Sequence, residues 1–210
     1  MLSTHSSAII RMRNIIKTLL LITILICAGC GKPKISKISE TSVIVAFGDS
    51  LTYGIGANNN ESYPAVLSEL LNNKVVNVGI PGEDTTDGLK RLPSILTKYK
   101  PILVIMCHGG NDMLQKQDTQ TTIKNINAMI NMIQDYDADV ILIGVPRPAL
   151  RLKSAKFYKE IAKQQKIPYQ GKIIAHILSN SSLKSDRAHP NEDGYQQIAE
   201  AISTLIHNSQ

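Results

Sequence analysis

Short apolar runs alternate with amphipathic segments from Val43 to the C-terminus, and this alternation restricts the possible folds more than any other feature of the chain. Runs of four or five residues rich in Ile, Leu and Val are typical of parallel strands that are buried on both faces. Between these runs, apolar residues recur at helical spacing, as at positions 123, 126, 130 and 133. The strands are predicted at 43–47, 74–78, 102–106, 140–143 and 167–169. The pattern predicts an α/β fold in which a parallel sheet of about five strands has helices on both faces.

The length and the charge of the chain limit the number of domains and the class of partner. With 210 residues, 43% of them hydrophobic, the chain can build one globular core with an appendage. The formal net charge is +6, but Arg11, Arg13 and Lys17 lie in an N-terminal segment without acidic residues. The remaining positive charge is weak and dispersed, and the lysines within 153–163 are interpreted as the solvated face of a helix. We therefore expect that the protein does not bind nucleic acid. We also expect it to be a monomer.

Residues 1–29 have the pattern of a signal peptide of the lipoprotein type. Basic residues precede an apolar run at 18–26, which is about half as long as the ~20 residues needed to cross a membrane. The sequence Ala28-Gly29-Cys30 resembles the site at which bacterial lipoproteins are cleaved and acquire a diacylglycerol on the cysteine. We expect cleavage before Cys30 and anchoring to a membrane through this lipidated residue. A plain secretory signal and an uncleaved anchor are the alternatives.

Residues 30–41 are expected to link this anchor to a folded domain at 42–210. Segment 31–41 is polar, rich in lysine and without periodicity, as in a tether. With Cys30 modified, Cys107 is the remaining thiol of the mature chain, so the domain depends on its core rather than on disulfides. We expect an exported protein at the periplasmic face of the envelope, on the outer membrane where the organism has one. Met1 and Met12 are both candidate start residues.

Gly48-Asp49-Ser50 follows the first predicted strand, at the edge of the sheet where ligands bind in α/β proteins. A serine at this position can present its hydroxyl to a cleft, and its own backbone N–H can help to stabilise an oxyanion. Ser50 is therefore a candidate nucleophile. The alternative is that Gly-Asp-Ser is an ordinary turn, and the tripeptide alone favours that interpretation.

Three further stretches carry the remaining groups of an acyl-transfer site. Gly79, after the second strand, has no side chain, so its backbone N–H can approach a reacting centre closely. Asn111, after the third strand, offers an amide N–H to a developing oxyanion. Asp186 precedes His189 by three residues, so its carboxylate can orient the ring for accepting a proton from serine. Each residue alone is typical of a turn or loop, but together they favour a catalytic site.

These stretches resemble the four sequence blocks of the SGNH hydrolases, also called the GDSL esterase and lipase family. Gly82-Glu83-Asp84-Thr85-Thr86 and Gly109-Gly110-Asn111-Asp112 are most similar to the bacterial thioesterase I, lysophospholipase and arylesterase branch. The resemblance, which extends from residue 43 to the C-terminus, implies a three-layer α/β/α sandwich with a flavodoxin-like sheet and no metal or organic cofactor. It also implies a nucleophile, a general base and its orienting acid at Ser50, His189 and Asp186. The oxyanion hole implied by it comprises the N–H groups of Ser50 and Gly79 and the side chain of Asn111.

The residues before the Gly-Gly-Asn-Asp turn depart from the pattern of that branch. They are Cys107 and His108, where an apolar or acidic residue followed by Leu or Gly is usual. His108 either reaches the site or binds a neighbouring loop from the end of its strand, and Cys107 is expected to be a small core residue. A Cys-His nucleophilic pair is disfavoured because adjacent strand residues point to opposite faces.

The resemblance implies a serine esterase that hydrolyses carboxylic esters or thioesters, such as acyl esters or lysophospholipids, through an acyl-serine intermediate. The loop at 145–150 is expected to border the groove that binds the acyl chain. A carbohydrate O-acetylesterase acting on envelope polysaccharide remains an alternative, because the same triad serves deacetylation. A surface lipoprotein that only binds its ligand is a second alternative, although it would not need all five of the candidate site residues.

Overall fold

The computed structural model describes residues 33–147 and 152–210, and Pro33–Gln210 form a compact unit. The predicted signal peptide, the candidate start residues and Cys30 lie outside the described residues. Within the described ranges, no helix combines the length and the apolarity that crossing a bilayer requires.

Five parallel strands form one sheet in the order β2-β1-β3-β4-β5. This is the flavodoxin-like order, in which the chain first adds a strand on one side of β1 and then continues on the other. The predicted fold class is thereby confirmed, and each predicted strand is present within two residues of its expected bounds. The strands are β1 Val43–Gly48, β2 Lys74–Asn77, β3 Leu103–Cys107, β4 Asp139–Ile143 and β5 Tyr169–Gln170.

Helices cover both faces of the sheet and complete the three layers. On one face α2 packs against α8, and α8 contacts α7; on the other face α5 lies between α3 and α6. Two short 3-10 turns at Asn59–Glu61 and Ser181–Leu183 connect elements. The helices are α1 Ser50–Tyr53, α2 Tyr63–Leu71, α3 Thr85–Tyr99, α4 Gly110–Leu114, α5 Thr119–Asp135, α6 Lys156–Gln165, α7 Ile173–Ser179 and α8 Glu192–Ser209.

The central strands form the core because both of their faces are covered by helices. All five residues of β3 are buried, as are Ile44 to Gly48 of β1. Cys107, the last residue of β3, is 1% exposed, and burial raises the pKa of its thiol well above the ordinary value. The prediction that Cys107 is a small core residue agrees with this burial, and a protonated thiol is a poor nucleophile.

The segment that precedes β1 contacts the domain rather than leaving it at residue 42. The Ile35 N–H donates to the Ser209 carbonyl at 2.8 Å, and the Ser36 N–H donates to Asp139 Oδ2 at 2.6 Å. Ile35 is 7% exposed, because its side chain joins the core. Residues 33–41, which the sequence placed in a tether, therefore belong to the compact unit, and an isoleucine in the polar stretch accounts for the difference.

Candidate active site

A cavity of about 520 Å³ opens at the carboxyl ends of β1, β3 and β4. In a sheet of this order, the chain reverses its direction of addition between β1 and β3, and the crevice above that point is the usual ligand site. Three of the candidate residues line the cavity: Ser50, Asn111 and His189. Its apolar lining comprises Leu51, Ile55, Pro81, Leu114, Val145, Pro146, Leu152 and Leu178.

Ser50 begins α1 immediately after β1, so the sheet and the helix fix its position. The Asp49 side chain caps α1 by accepting the Leu51 N–H at 3.0 Å. Asp49 is 2% exposed, and burial raises the pKa of its carboxyl group, although nearby His108 and His189 oppose this. The Ser50 hydroxyl lies 3.0 Å from Nε2 of His189, which is the distance of a hydrogen bond.

Asp186 and His189 share one loop, and the loop itself holds the two side chains together. Oδ1 of Asp186 accepts the N–H groups of Ala188 and His189 at 2.7 and 2.9 Å, and Oδ2 lies 2.8 Å from His189 Nδ1. Desolvation alone would raise the pKa of Asp186, but these hydrogen bonds outweigh it and lower the pKa below its ordinary value. The carboxylate is therefore ionised at neutral pH and can orient the ring with Nε2 towards Ser50.

Gly79 is not where the resemblance implied it would be. Its N–H donates to Asn77 Oδ1 at 2.9 Å, and it is absent from the described lining of the cavity. A side chain at this position would collide with the backbone of Asp49 and Tyr53, so the glycine allows close packing below α1. The assignment of Gly79 to the oxyanion hole is therefore corrected: its N–H group already has a partner.

Gly82, three residues after Gly79, lies where a backbone donor of the oxyanion hole is required. It lines the cavity, its φ of 81° lies in the left-handed region, and a Cβ there would meet no atom within 4 Å. It occupies the third position of a turn closed by the Glu83 N–H donating to the Ile80 carbonyl at 3.2 Å. Neither the Gly82 N–H nor the Ser50 N–H makes a hydrogen bond to any residue in the described ranges. Both amides are thus available to a ligand.

Asn111 follows Gly110 at the start of α4, where β3 ends. Its Nδ2 donates to the Glu83 carbonyl at 2.9 Å and lies 3.4 Å from Asp49 Oδ2, a longer contact. The first bond ties Asn111 to the residue that follows Gly82. The structure therefore places Asn111 and Gly82 beside the same cavity as Ser50.

His108 is fully buried and contacts the loop that follows β2, not the cavity. Its Nε2 lies 3.0 Å from Oε2 of Glu83, and its Nδ1 accepts the Gly109 N–H at 3.1 Å. Of the two sequence-based alternatives for His108, the bond to a neighbouring loop is thus the one observed. Glu83 also forms a bidentate ion pair with Arg91 of α3.

A second groove of about 960 Å³ adjoins the cavity, because Leu152 lines both. Four of its described lining residues are lysines, and Glu160 is the one acidic residue among them. None of these lysines lies within ion-pair distance of a carboxylate in the part of the chain that the structure describes. The lysines are Lys153, Lys156, Lys159 and Lys172. The helix face interpreted as merely solvated thus borders a groove beside the candidate site.

Across residues 33–147 and 152–210, no cluster of three His, Cys, Asp or Glu side chains has the arrangement of a metal site. The acid–base pair and the amide donors described above can act on a substrate without such a cluster.

Comparison with known proteins identifies relatives over the same region. The model of the GDSL-like lipase/acylhydrolase family matches residues 46–197. The chain is 29% identical over 171 residues to an arylesterase of Vibrio mimicus, which covers 76% of this chain and 86% of that protein. It is 27% identical over 176 residues to thioesterase 1/protease 1/lysophospholipase L1 of Escherichia coli K12, covering 80% and 85% of the two chains.

Among solved structures, the fold is similar to that of the psychrotrophic esterase EstA from a Pseudoalteromonas species, in a structure inhibited by monoethylphosphonate. The TM-score is 0.70 at 21% sequence identity, over 80% of this chain and 97% of the other. This similarity is one of fold.

Proposed function

Because the chain belongs to the GDSL-like lipase/acylhydrolase family and is therefore a hydrolase of ester bonds, we propose that Ser50, His189 and Asp186 form its catalytic triad. The observation that supports this proposal is the chain of short contacts, 3.0 Å from Ser50 Oγ to His189 Nε2 and 2.8 Å from His189 Nδ1 to Asp186. A nucleophile, a base within hydrogen-bond distance and a third group that orients the base are the parts that acyl transfer requires.

In the proposed reaction, Ser50 Oγ attacks the carbonyl carbon of the ester while His189 Nε2 accepts the hydroxyl proton. Asp186 stabilises the resulting imidazolium by accepting its Nδ1–H. Collapse of the tetrahedral intermediate transfers that proton to the leaving alcohol or thiol and leaves an acyl group on Ser50. Water then attacks the acyl-serine, with His189 again as base, and releases the carboxylic acid.

The oxyanion of the tetrahedral intermediate is proposed to accept hydrogen bonds from the Ser50 N–H, the Gly82 N–H and Asn111 Nδ2. Ser50 and Gly82 both line the cavity, and among the described residues their amides have no hydrogen-bond partner, which supports this assignment. The turn that gives Gly82 its φ of 81° holds the N–H in place before the substrate arrives. Donors fixed in advance need no reorganisation when the charge develops, and for this reason they lower the barrier.

The shape and charge around Ser50 favour single-chain acyl esters, such as lysophospholipids, over small acetyl esters. The cavity is lined mainly by aliphatic side chains, and Leu114 at its edge remains 57% exposed and available to an acyl chain. Each buried methylene contributes about 0.8 kcal/mol to binding. The adjoining lysine groove supplies positive charge for an anionic group on the alcohol side of the ester.

A series of p-nitrophenyl esters from acetyl to decanoyl tests this proposal. We expect kcat/KM to rise from acetyl to a maximum at medium chain length, because longer chains bury more apolar surface in the cavity. With one acyl chain held constant, a lysophosphatidic acid should be hydrolysed about tenfold faster than the neutral monoacylglycerol, and added salt should reduce the difference. A maximum confined to acetyl would support the carbohydrate O-acetylesterase instead. Absence of turnover on every ester would support the non-catalytic binding module.

We further propose that Cys30 carries a diacylglycerol that anchors the protein at the cell envelope. The sequence Ala28-Gly29-Cys30 after a short apolar run supports this proposal. Cells grown with labelled palmitate should incorporate the label into the wild-type protein and not into Cys30→Ser. Equal labelling of the two proteins would exclude Cys30 as the attachment site.

A further inference from the structure

A buried ion pair behind the cavity holds both of the donors that complete the proposed oxyanion hole. We propose that Glu83 is a positioning residue, which fixes Asn111 and Gly82 at the oxyanion and which depends for its own position on Arg91 and His108. The inference rests on the proposed function, because it concerns how the same site is held. Glu83 touches no reacting atom in this arrangement and acts through its two neighbours.

The Glu83 side chain is held from one side by Arg91. Its side chain is 4% exposed, and its two oxygens accept hydrogen bonds from Arg91 Nε at 2.5 Å and Nη2 at 2.6 Å. The guanidinium also lies 4.3 Å above the Phe47 ring, which belongs to β1. A bidentate pair of this kind fixes direction as well as distance, because both groups are planar.

His108 holds the same carboxylate from the side of β3. Because Nδ1 accepts the Gly109 N–H at 3.1 Å, the ring proton is assigned to Nε2, which donates to Glu83 Oε2 at 3.0 Å. Gly88 of α3 makes room for this contact, since a Cβ there would lie 2.5 Å from His108 Nε2. The carboxylate is stabilised in its charged form: burial would raise the pKa of Glu83, but hydrogen bonds from His108 and Arg91 lower it.

The main chain of Glu83 connects its fixed side chain to the two donors through hydrogen bonds. Its carbonyl accepts the Asn111 amide at 2.9 Å, and its N–H closes the turn in which Gly82 stands. A second connection runs in parallel, because buried Asp112 accepts the Thr85 N–H at 3.0 Å. A shift of the Glu83 main chain would therefore displace both the Asn111 amide and the turn that holds the Gly82 N–H.

An ion pair that only stabilises the fold would have a different effect from one that positions donors. Buried ion pairs contribute little net stability relative to apolar packing, whereas catalysis is sensitive to a displacement of about 1 Å. Loss of a positioning contact should lower kcat and leave KM nearly unchanged, because the oxyanion forms only after the substrate is bound. A purely structural contact should lower the melting temperature and leave the kcat of the folded protein unchanged.

The test compares full-length His108→Leu, which loses the donor to Glu83, with the conservative variant His108→Gln, whose amide can still donate. We expect His108→Leu to lower kcat about tenfold with KM within twofold, and His108→Gln to retain kcat within threefold. Affinity for an alkyl boronic acid should fall by the same factor as kcat, because its tetrahedral adduct with Ser50 places an oxygen at the oxyanion position. Leu96→Ala, a core change on the same helix as Arg91, should lower the melting temperature without changing kcat.

Two further measurements keep the inference open to refutation. Arg91→Lys is the substitute test if His108→Leu does not fold. It replaces the bidentate contact by a single point charge and should lower kcat at least threefold. In an Asn111→Ala background, His108→Leu should lower kcat by a smaller factor than in the wild-type background, because one of the two donors that it displaces is already gone. Unchanged kcat and boronate affinity in a folded His108→Leu or Arg91→Lys protein would overturn the positioning role while leaving the triad intact. Loss of Ser50 dependence would instead overturn the proposed function.

Discussion

Replacing Ser50 with alanine is expected to lower kcat/KM for p-nitrophenyl esters by about 10⁴-fold or more. The variant keeps the cavity, the oxyanion donors and the His189–Asp186 pair, but it has no hydroxyl to form the acyl intermediate. The side chain is small and partly exposed, so the fold should be retained, and a melting curve checks this. The rate is measured with the medium-chain ester that the wild-type protein hydrolyses fastest.

Ser94→Ala is the matched control, because Ser94 is exposed on α3 and its hydroxyl donates to the Arg91 carbonyl of the same helix. It should keep the wild-type rate. A phosphonate that labels the nucleophile should modify the wild-type chain at Ser50 and leave Ser50→Ala unlabelled. Retention of more than about a hundredth of the wild-type rate in Ser50→Ala would contradict the assignment, since removal of a triad member costs far more.

Replacing Asn111 with alanine is expected to lower kcat by about 10²- to 10³-fold with little change in KM. The Asn111 amide donates to the oxyanion, which is absent from the bound substrate and appears only as Ser50 attacks. Asn111→Asp retains the shape but supplies an acceptor where a donor is needed, so its loss of rate should be at least as large. Single-turnover measurements with the same ester series would separate the acylation step from product release.

The control for this change is Gln115→Ala, which removes an amide from the exposed end of the same turn and lies outside the described lining of the cavity. Its kcat should match the wild-type value. If Asn111→Ala raised KM and kept kcat, the side chain would bind the substrate in its ground state, and the oxyanion assignment would fall.

The elements of this fold could be predicted from the sequence because the core strands are short, continuous and apolar. The residues of β3, Leu103–Cys107, are all buried, and a short apolar run of this kind is typical of a parallel strand that is covered on both faces. The strand order could not be derived in the same way, because periodicity describes each segment separately while β1 pairs with β2 and β3 at long range. The strand order was predicted instead from the family resemblance, which implies a flavodoxin-like sheet.

The side-chain members of the site could be predicted because their chemistry is visible in the residue type. Asp186 and His189 also lie on one loop, so a local spacing predicts their contact. A backbone donor gives no such signal, since the direction of its N–H depends on the torsion angles of the turn. Pro81-Gly82 was the available clue, because a turn with proline second and glycine third places the glycine at positive φ. The partner of His108 could not be predicted from the sequence, because Glu83 lies in the loop after β2 whereas His108 follows β3.

The attachment of the N-terminal segment bears on which molecules can reach Ser50. Ile35 and Ser36 bind at Ser209 and at Asp139, the first residue of β4, whereas the cavity opens at the opposite ends of the strands. None of residues 33–42 belongs to the described lining of the cavity, so a substrate can reach Ser50 without displacing this segment.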